Sequence, residues 1–336
     1  MDEAVTVGAV TRVDVARYAG VSTAVVSYVV NGGPKAVSAA TSARVLDAIA
    51  RLGYRPNRTA RALALGSTKT LGLVVPDNTN PFYAEYTLEI QRAATELDYA
   101  LLITNSGFDP DIELRRMLDL CDRQIDGLIL ARAGEPSRVG ELVKRGVRTP
   151  IVMIDSAVPL SGYASVGPDA AAGMAAAVEH LLHVHDHRDV ALIIGDTVEV
   201  SIDGRESGWA LAHARCGRPL GALDRSAFTR EGGYLAGLRL LRGAPRPTAI
   251  VASSDLQAIG LLRAAHEQGL RVPQDLAVVS FDGTAETQYC WPPLTTIRQP
   301  TTAMAQAAVR AVLAEDQRSG HQAMPMELVV RESCGC

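Results

Sequence analysis

The sequence predicts an all-α head over residues 1–56, joined to a larger α/β body of two doubly wound parallel-sheet subdomains. Three observations point there. The first 55 residues hold short helical patterns and no strand pattern. From Thr70 onward, short apolar runs alternate with helical patterns, which is the signature of a parallel sheet covered on both faces. Charge divides at the same place. Met1 to Lys69 carries nine Lys/Arg and four Asp/Glu, net +5; the remainder carries 24 bases and 33 acids, net −9. A basic fifth on an acidic body suits one module that meets a polyanion and another that does not. Charge alone is equally compatible with a basic surface that has no partner.

In the head, Val13–Ala19 is apolar-periodic and Gly20 breaks it. Ser22 is a cap for a second helix, Thr23–Val30. Asn31-Gly32-Gly33-Pro34 reads as a loop. Thr41–Leu52 is a third helix, ended by Gly53. Val15, Ala19, Val26, Val29, Val45, Leu46 and Ile49 are its expected core. On the second helix the valines share one arc, and Thr23, Ala24, Ser27 and Tyr28 share the other. That second arc is bare of the usual Lys, Glu and Gln. Small residues permit close approach, and an α-helix fits the major groove of B-DNA. Two short helices around a Gly turn are the helix-turn-helix arrangement, although any small three-helix domain shares the pattern. A further short helix is expected at Arg58–Leu65, capped by Asn57 and stopped by Gly66. Eight residues are too few to hold a helix alone in water, so it forms when docked.

In the body, strands are expected at Leu71–Val75, Leu101–Thr104, Gly127–Leu130, Ile151–Ile154, Val190–Ile194, Ala249–Ala252 and Leu276–Phe281. Helices fall between them, among them Ala84–Leu97, Asp111–Cys121, Gly173–Leu182 and Leu256–Gln268. The split between the two sheets is expected near Ser156–Ser165. Polar residues close several strands: Asp77 to Asn80, Asp155, Asp196, Asp255 and Asp282. Open parallel sheets bind ligands there, while an Asp also caps the next helix; capping is the preferred role for Asp196.

With 47% apolar and 21% charged residues in 336, a folded chain is expected. No apolar run approaches the ~18 residues that span a bilayer. No G-x-G-x-x-G follows a strand, and neither a P-loop nor a G-x-S-x-G elbow occurs, so no enzyme is predicted and no cofactor. Five scattered cysteines suit a reducing compartment.

The motifs then converge. Val13-Asp14-Val15-Ala16-Arg17-Tyr18-Ala19-Gly20-Val21-Ser22, Val30-Asn31-Gly32, Leu52-Gly53-Tyr54-Arg55-Pro56-Asn57 and Ala60-Arg61-Ala62-Leu63 resemble the LacI/GalR family of bacterial transcriptional regulators. The likeness continues through Leu71–Asp77, Asn80-Pro81-Phe82, Asp126–Ile129, Arg205 near Gly208-Trp209, Val278–Asp282 and Pro292–Pro300. It implies a helix-turn-helix head at 1–56 and a hinge helix with linker at 57–69. It also implies a periplasmic-binding-protein-like core, with an N-subdomain at 70–160 and 295–330, a C-subdomain at 161–294 and a tail at 331–336. The implied partners are a palindromic double-stranded DNA operator, a small polar effector with sugars first, and a second copy of the chain; no membrane is implied. The implied location is the cytoplasm, on the nucleoid when DNA-bound. The competing class is a sugar-binding protein of the same core fold without a DNA role. That class needs a secretory signal and lacks a basic head.

By the same resemblance, Thr23, Ala24 and Tyr28 read bases. Thr11, Ser22, Ser27, Asn31, Tyr54 and Asn57 touch phosphates, beside Arg58 and Ala60 of the hinge helix, and Leu63 is the minor-groove wedge. The family often carries Arg or His where Tyr28 stands, so the half-site sequence does not transfer. The effector set is Asp77, Asn80, Phe82, Tyr83, Asp155, Arg205, Ser254, Asp255, Asp282 and Trp291. Ser254 stands where the family usually has Asn, and core packing is a competing role for Phe82. The histidines His180, His183, His185 and His187 read as a structural helix end, and Cys334-x-Cys336 as a loose tail. No metal is expected from either.

Overall fold

Thr11 opens the first helix, α1 (Arg12–Ala19), through a reciprocal capping box with Asp14. The computed structural model describes residues 10–31, 36–55, 62, 66–131, 137–155, 162–196, 204–314 and 320–336. Gly20 ends α1 at φ +65°, a left-handed conformation that glycine adopts without a Cβ penalty, and its N–H reaches the carbonyls of Ala16 and Arg17. Ser22 caps α2 (Thr23–Asn31), accepting from the Val25 N–H at 3.3 Å. The third helix, α3 (Ala39–Leu52), starts two residues before the expected Thr41, because Ser38 is its cap. Val15, Ala16, Ala19, Val26, Val45 and Ala48 form the core, with Val25, Val29, Val30 and Ile49 packed against it. Leu46, expected inside, is 56% exposed. It lies about 100° round the helix from the buried Val45, so only one of the two can face inward. The expected hinge helix, with Asn57, Arg58, Ala60 and Leu63, lies outside the described residues.

Residues to Thr68 form one compact unit and Lys69–Cys336 another. In the second unit, β1 (Thr70–Val75), β2 (Ala100–Asn105), β3 (Gly127–Ala131), β4 (Ile151–Ile154) and β5 (Ala164–Pro168) pair in parallel in the order β5-β4-β3-β1-β2. A second sheet holds β6 (Ala191–Ile194), β7 (Leu223–Arg225), β8 (Ala249–Ala252), β9 (Ala277–Asp282) and β10 (Thr295–Arg298) in the matching order β10-β9-β8-β6-β7. The two halves therefore repeat one topology. Each gains a sixth strand from the end of the sequence: β11 (His321–Met324) lies parallel beside β5, and β12 (Glu327–Val329) antiparallel beside β10.

These pairings redraw the expected division of the core. β5 falls inside the expected C-subdomain yet belongs to the first sheet, and β10 falls inside the expected N-subdomain yet belongs to the second. The helix Thr301–Leu313 buries Met304, Ala305, Ala308, Val309 and Val312 against the first core, and β12 returns to the second sheet. The chain crosses between halves three times, near residues 168–170, 298–301 and 324–327. Apolar patterning marks a strand but not the sheet that receives it. The tail is also not loose. The Ser333 hydroxyl donates to the Val278 carbonyl at 2.6 Å and accepts from the Thr295 N–H at 2.8 Å, and Cys334 is buried.

Candidate DNA-reading head and effector cleft

On α2, Ser22, Thr23 and Ala24 are exposed and Ser27 and Tyr28 are half-buried, while Val26 faces the core. The bare arc read from the sequence is thus the outer face of this helix. Ser22 uses its oxygen as the cap acceptor and keeps an O–H that can donate to a phosphate. Thr11 is different. Its hydroxyl donates to Asp14 Oδ2 at 2.6 Å and accepts from the Asp14 N–H, so its side chain is occupied by the capping box. Tyr54 packs against the helical core.

In the second unit, the carboxyl ends of both sheets supply one polar cluster. Tyr83 sits on the helix α4 (Pro81–Glu96), which starts with Asn80 as cap and Pro81 in the first turn. Its phenol donates to Asp155 Oδ2 at 3.0 Å. Asp155 ends β4 at φ +57°, a left-handed position that Asp tolerates better than most residues. Burial, followed by the Asp155 charge and hydrogen bond, pushes the Tyr83 phenol well above its ordinary pKa, so it stays a donor.

From the second half come Arg205 and Asp282. Arg205 opens the helix Arg205–Cys216, directly after Gly204. That helix is pressed onto its neighbour: a Cβ on Gly208 would sit 2.2 Å from the Ala171 carbonyl oxygen, so only glycine fits. The Trp209 indole N–H anchors the same helix to the Val190 carbonyl at 2.6 Å. Arg205 Nη1 donates to the Ser253 carbonyl at 3.0 Å, and its guanidinium lies 4.3 Å from the Phe281 ring centroid and 5.3 Å from that of Phe228. Asp282 ends β9 at φ +112° and accepts from Gln299 Nε2 at 2.8 Å. Burial raises its pKa well above the usual carboxylate range, the Asp255 charge raises it further, and the Arg205 charge opposes both. Arg205 and Asp282 also act on the Tyr83 phenol, so groups from both sheets share one electrostatic environment. A rigid cation, two carboxylates and a phenol suit the hydroxyls of a small polar ligand.

The remaining expected effector residues do other work. Asp77 accepts from the N–H and hydroxyl of Thr79, closing its own turn. Asn80 and Ser254 cap helices, accepting from the Phe82 and Gln257 N–H groups. Ser254 is 3% exposed and its oxygen is committed to that cap, so it is a correction to the expected ligand set. Asp255 is another. Its two oxygens accept from Ser280, Thr296 and both donors of Thr284, at 2.6 to 3.2 Å. It braces the strand ends and offers no open acceptor. Phe82 is core, edge-on to Tyr83 at 5.0 Å. Trp291 is 90% exposed and takes no part in the packed wall. Asp196 does not cap the next described helix, whose cap is Gly204. Sequence reasoning missed Ser253, Phe228 and Gln299; Gln299 stood within the quoted Pro292–Pro300 motif, while Phe228 gave no local signal.

Residues 11–57 match the bacterial regulatory proteins of the lacI family, and residues 178–334 match the periplasmic binding protein-like domain. The chain is 36% identical to catabolite control protein A of Priestia megaterium, over 90% of this chain and 91% of that one. The chain belongs to the lacI family. This lacI-family chain is also 34% identical to the ribose operon repressor of Escherichia coli K12, over 90% of its own length and 92% of the relative's. Its fold superposes on a Lac repressor dimer bound to operator and the anti-inducer ONPF with a TM-score of 0.87, at 28% identity, covering 97% of this chain and 99% of that one. It is a transcriptional regulator of the family and not an enzyme. Among the described residues, no helix is long and apolar enough to cross a membrane.

Proposed function

We propose that this lacI-family regulator represses transcription from a palindromic operator as a homodimer and releases it when a small polar metabolite, sugars first, enters the cleft between the sheets. The carrying observation is the meeting of Tyr83 and Asp155 from the first half with Arg205 and Asp282 from the second. A ligand touching both halves has different affinity for open and closed cores, which is what gating requires. In this reading Thr23, Ala24 and Tyr28 meet bases, and Ser22, Ser27 and Tyr54 lie against phosphates. Asn31, Asn57, Arg58, Ala60 and Leu63 keep their family roles as expectations from sequence. The relatives named for a ribose operon and for an operator-bound dimer support the ligand class and the assembly. The protein then works in the cytoplasm, on nucleoid DNA.

The test is selection of bound genomic fragments by the full-length protein, followed by gel shifts over a salt series. The expected result is a palindromic site whose binding weakens steeply with salt and is relieved by one sugar from a panel of pentoses and hexoses. Binding without sequence preference, or sugar binding with no effect on DNA, would overturn the reading.

A further inference from the structure

His180 and Cys336 are far apart in sequence, yet the fold brings them together. The last turn of the helix Ala170–His183 presents His180, and the loop that follows presents His185. The segment Glu332–Cys336 folds over both rings. Cys334 is buried within it and Cys336 is exposed at its edge. One donor atom from each of these four residues lies within 4.8 Å of all the others. His180 Nε2 and His185 Nε2 are 3.2 Å apart, and Cys336 Sγ is 3.6 Å from the first and 3.3 Å from the second.

We propose that His180, His185, Cys334 and Cys336 form a Cys2His2 site for a zinc ion, which clips the segment Glu332–Cys336 to the second half of the core. Three of the four ligands already stand at tetrahedral separations. Zinc bonds of about 2.0–2.1 Å to nitrogen and about 2.3 Å to sulfur place two nitrogens roughly 3.3 Å apart, and nitrogen and sulfur roughly 3.5 Å apart. The three separations among His180, His185 and Cys336 fall within about 0.2 Å of those values, and Cys334 Sγ lies within 4.8 Å of all three. Two imidazole nitrogens facing one another at 3.2 Å otherwise share a single N–H, and a shared cation satisfies both lone pairs. The His spacing, H-x4-H, lies within the usual range for structural zinc.

The surroundings fit as well. The Thr295 hydroxyl lies 3.1 Å from Cys334 Sγ and helps hold that side chain in place. Gly335 makes the C-x-C turn possible. Its φ is +107°, and a Cβ there would lie 3.3 Å from His185 Nδ1. Asp186 turns the chain just after His185 at φ +51° and pairs with Arg218, which fixes the loop. Ligand softness selects the ion: two thiolates and two imidazoles favour zinc over calcium or magnesium. His183, which shares the helix with His180, points elsewhere; its Nε2 is 3.0 Å from Cys216 Sγ. Spacing of i, i+3 on a helix end is thus not convergence, and the reading of these histidines as a helix end gave no hint of the pair that does converge.

The experiment uses the full-length chain, kept reduced and reconstituted with zinc sulfate, then gel-filtered. Elemental analysis is expected to give one zinc per chain. Cobalt(II) in place of zinc is expected to show tetrahedral d–d bands and a thiolate-to-cobalt charge-transfer band. Cys336→Ser changes an exposed side chain and leaves the fold in place. It is expected to weaken zinc binding, by chelator competition, more than the 10- to 100-fold typical of losing an outer partner. His185→Gln is expected to act alike. Sub-stoichiometric zinc in the wild type, an octahedral cobalt spectrum, a Cys334–Cys336 disulfide that persists under reduction, or unchanged affinity in both variants would each overturn the proposal.

Discussion

Arg205→Ala is expected to silence the effector response and leave DNA binding intact. Arg205 is already fixed before any ligand arrives: one bond of 3.0 Å to the Ser253 carbonyl and a ring face 4.3 Å away hold the guanidinium plane. Little side-chain entropy is then lost on binding. A guanidinium that grips adjacent hydroxyls makes two charge-assisted bonds, each worth about 1.5–3 kcal/mol. Allowing for bonds to water that the free ligand gives up, roughly 3–4 kcal/mol is lost on truncation, or a factor of about 10² to 10³ in affinity. The fold is expected to survive. Removing the cation beside Asp282 raises a carboxyl pKa that burial has already raised, so the group neutralises instead of standing charged and alone. Arg205→Lys keeps the charge and loses the fork and the ring stacking, and an intermediate loss of about 1–2 kcal/mol is expected. Calorimetry with the sugar panel reads the affinity, and gel shifts read the DNA. Unchanged sugar affinity in Arg205→Ala would remove this residue from the cleft and refute the reasoning.

Two further outcomes follow from the head and the braced carboxyl. Tyr28→Ala is expected to cost about 1–3 kcal/mol per half-site and relax sequence preference, while Tyr28→Phe separates the hydroxyl from the ring; unchanged operator preference in competition gel shifts would move the reading face elsewhere. Asp255 has a folded-state pKa of about 6 against an ordinary 3.8, with burial as the main cause, so its contribution to stability is full below about pH 4 and is lost as pH rises through 6, about 3 kcal/mol in all. Asp255→Asn is therefore expected to flatten the fall in unfolding free energy from pH 4 to pH 7, measured by denaturant titration, and an unflattened profile would show that the carboxyl is not the titrating group.

The head was legible because its signals are local. A cap at Ser22, a left-handed glycine at 20 and an arc of valines need no long-range knowledge, and each appears in the structure. Seven of the twelve described strands were legible for the same reason. β5, β7, β10, β11 and β12 are short and were not, and the choice of sheet is made by crossovers of one or two residues. In the cleft, residue type misled most where one side chain serves either cap or ligand. Ser254 and Asn80 have the chemistry of ligand donors, yet a helix start takes the nearest acceptor. Arg205, Asp282, Tyr83 and Asp155 cap no described helix, and their charges and hydrogen bonds link all four. Asp255 was lost to the site because Ser280, Thr284 and Thr296 converge on it from other segments, which no spacing reveals.

The three crossovers are the covalent routes by which a change in the cleft reaches the half that continues into the head, and one of them touches the cleft. Gln299 stands in the second crossover, between β10 and the helix that returns to the first core. Its Nε2 donates to Asp282 Oδ1 at 2.8 Å and its N–H to the Asp282 carbonyl at 3.0 Å, while Gln299 itself is 3% exposed. A ligand that engages Asp282 therefore competes for the carboxylate that anchors a hinge strand. Rotation of one half against the other is absorbed by such short connections. Gln299→Leu keeps the volume and removes the side-chain bond. The sugar that binds the wild type is expected to bind the variant at least as tightly, because Arg205 is untouched and the competing donor is gone. The ratio of operator affinities without and with that sugar, typically 5- to 150-fold in coupled systems, is expected to fall toward one. Measuring both quantities in one variant separates binding from transmission. A full ratio in Gln299→Leu would mean that the hinge senses closure through the other two crossovers, and not through the Asp282 carboxylate.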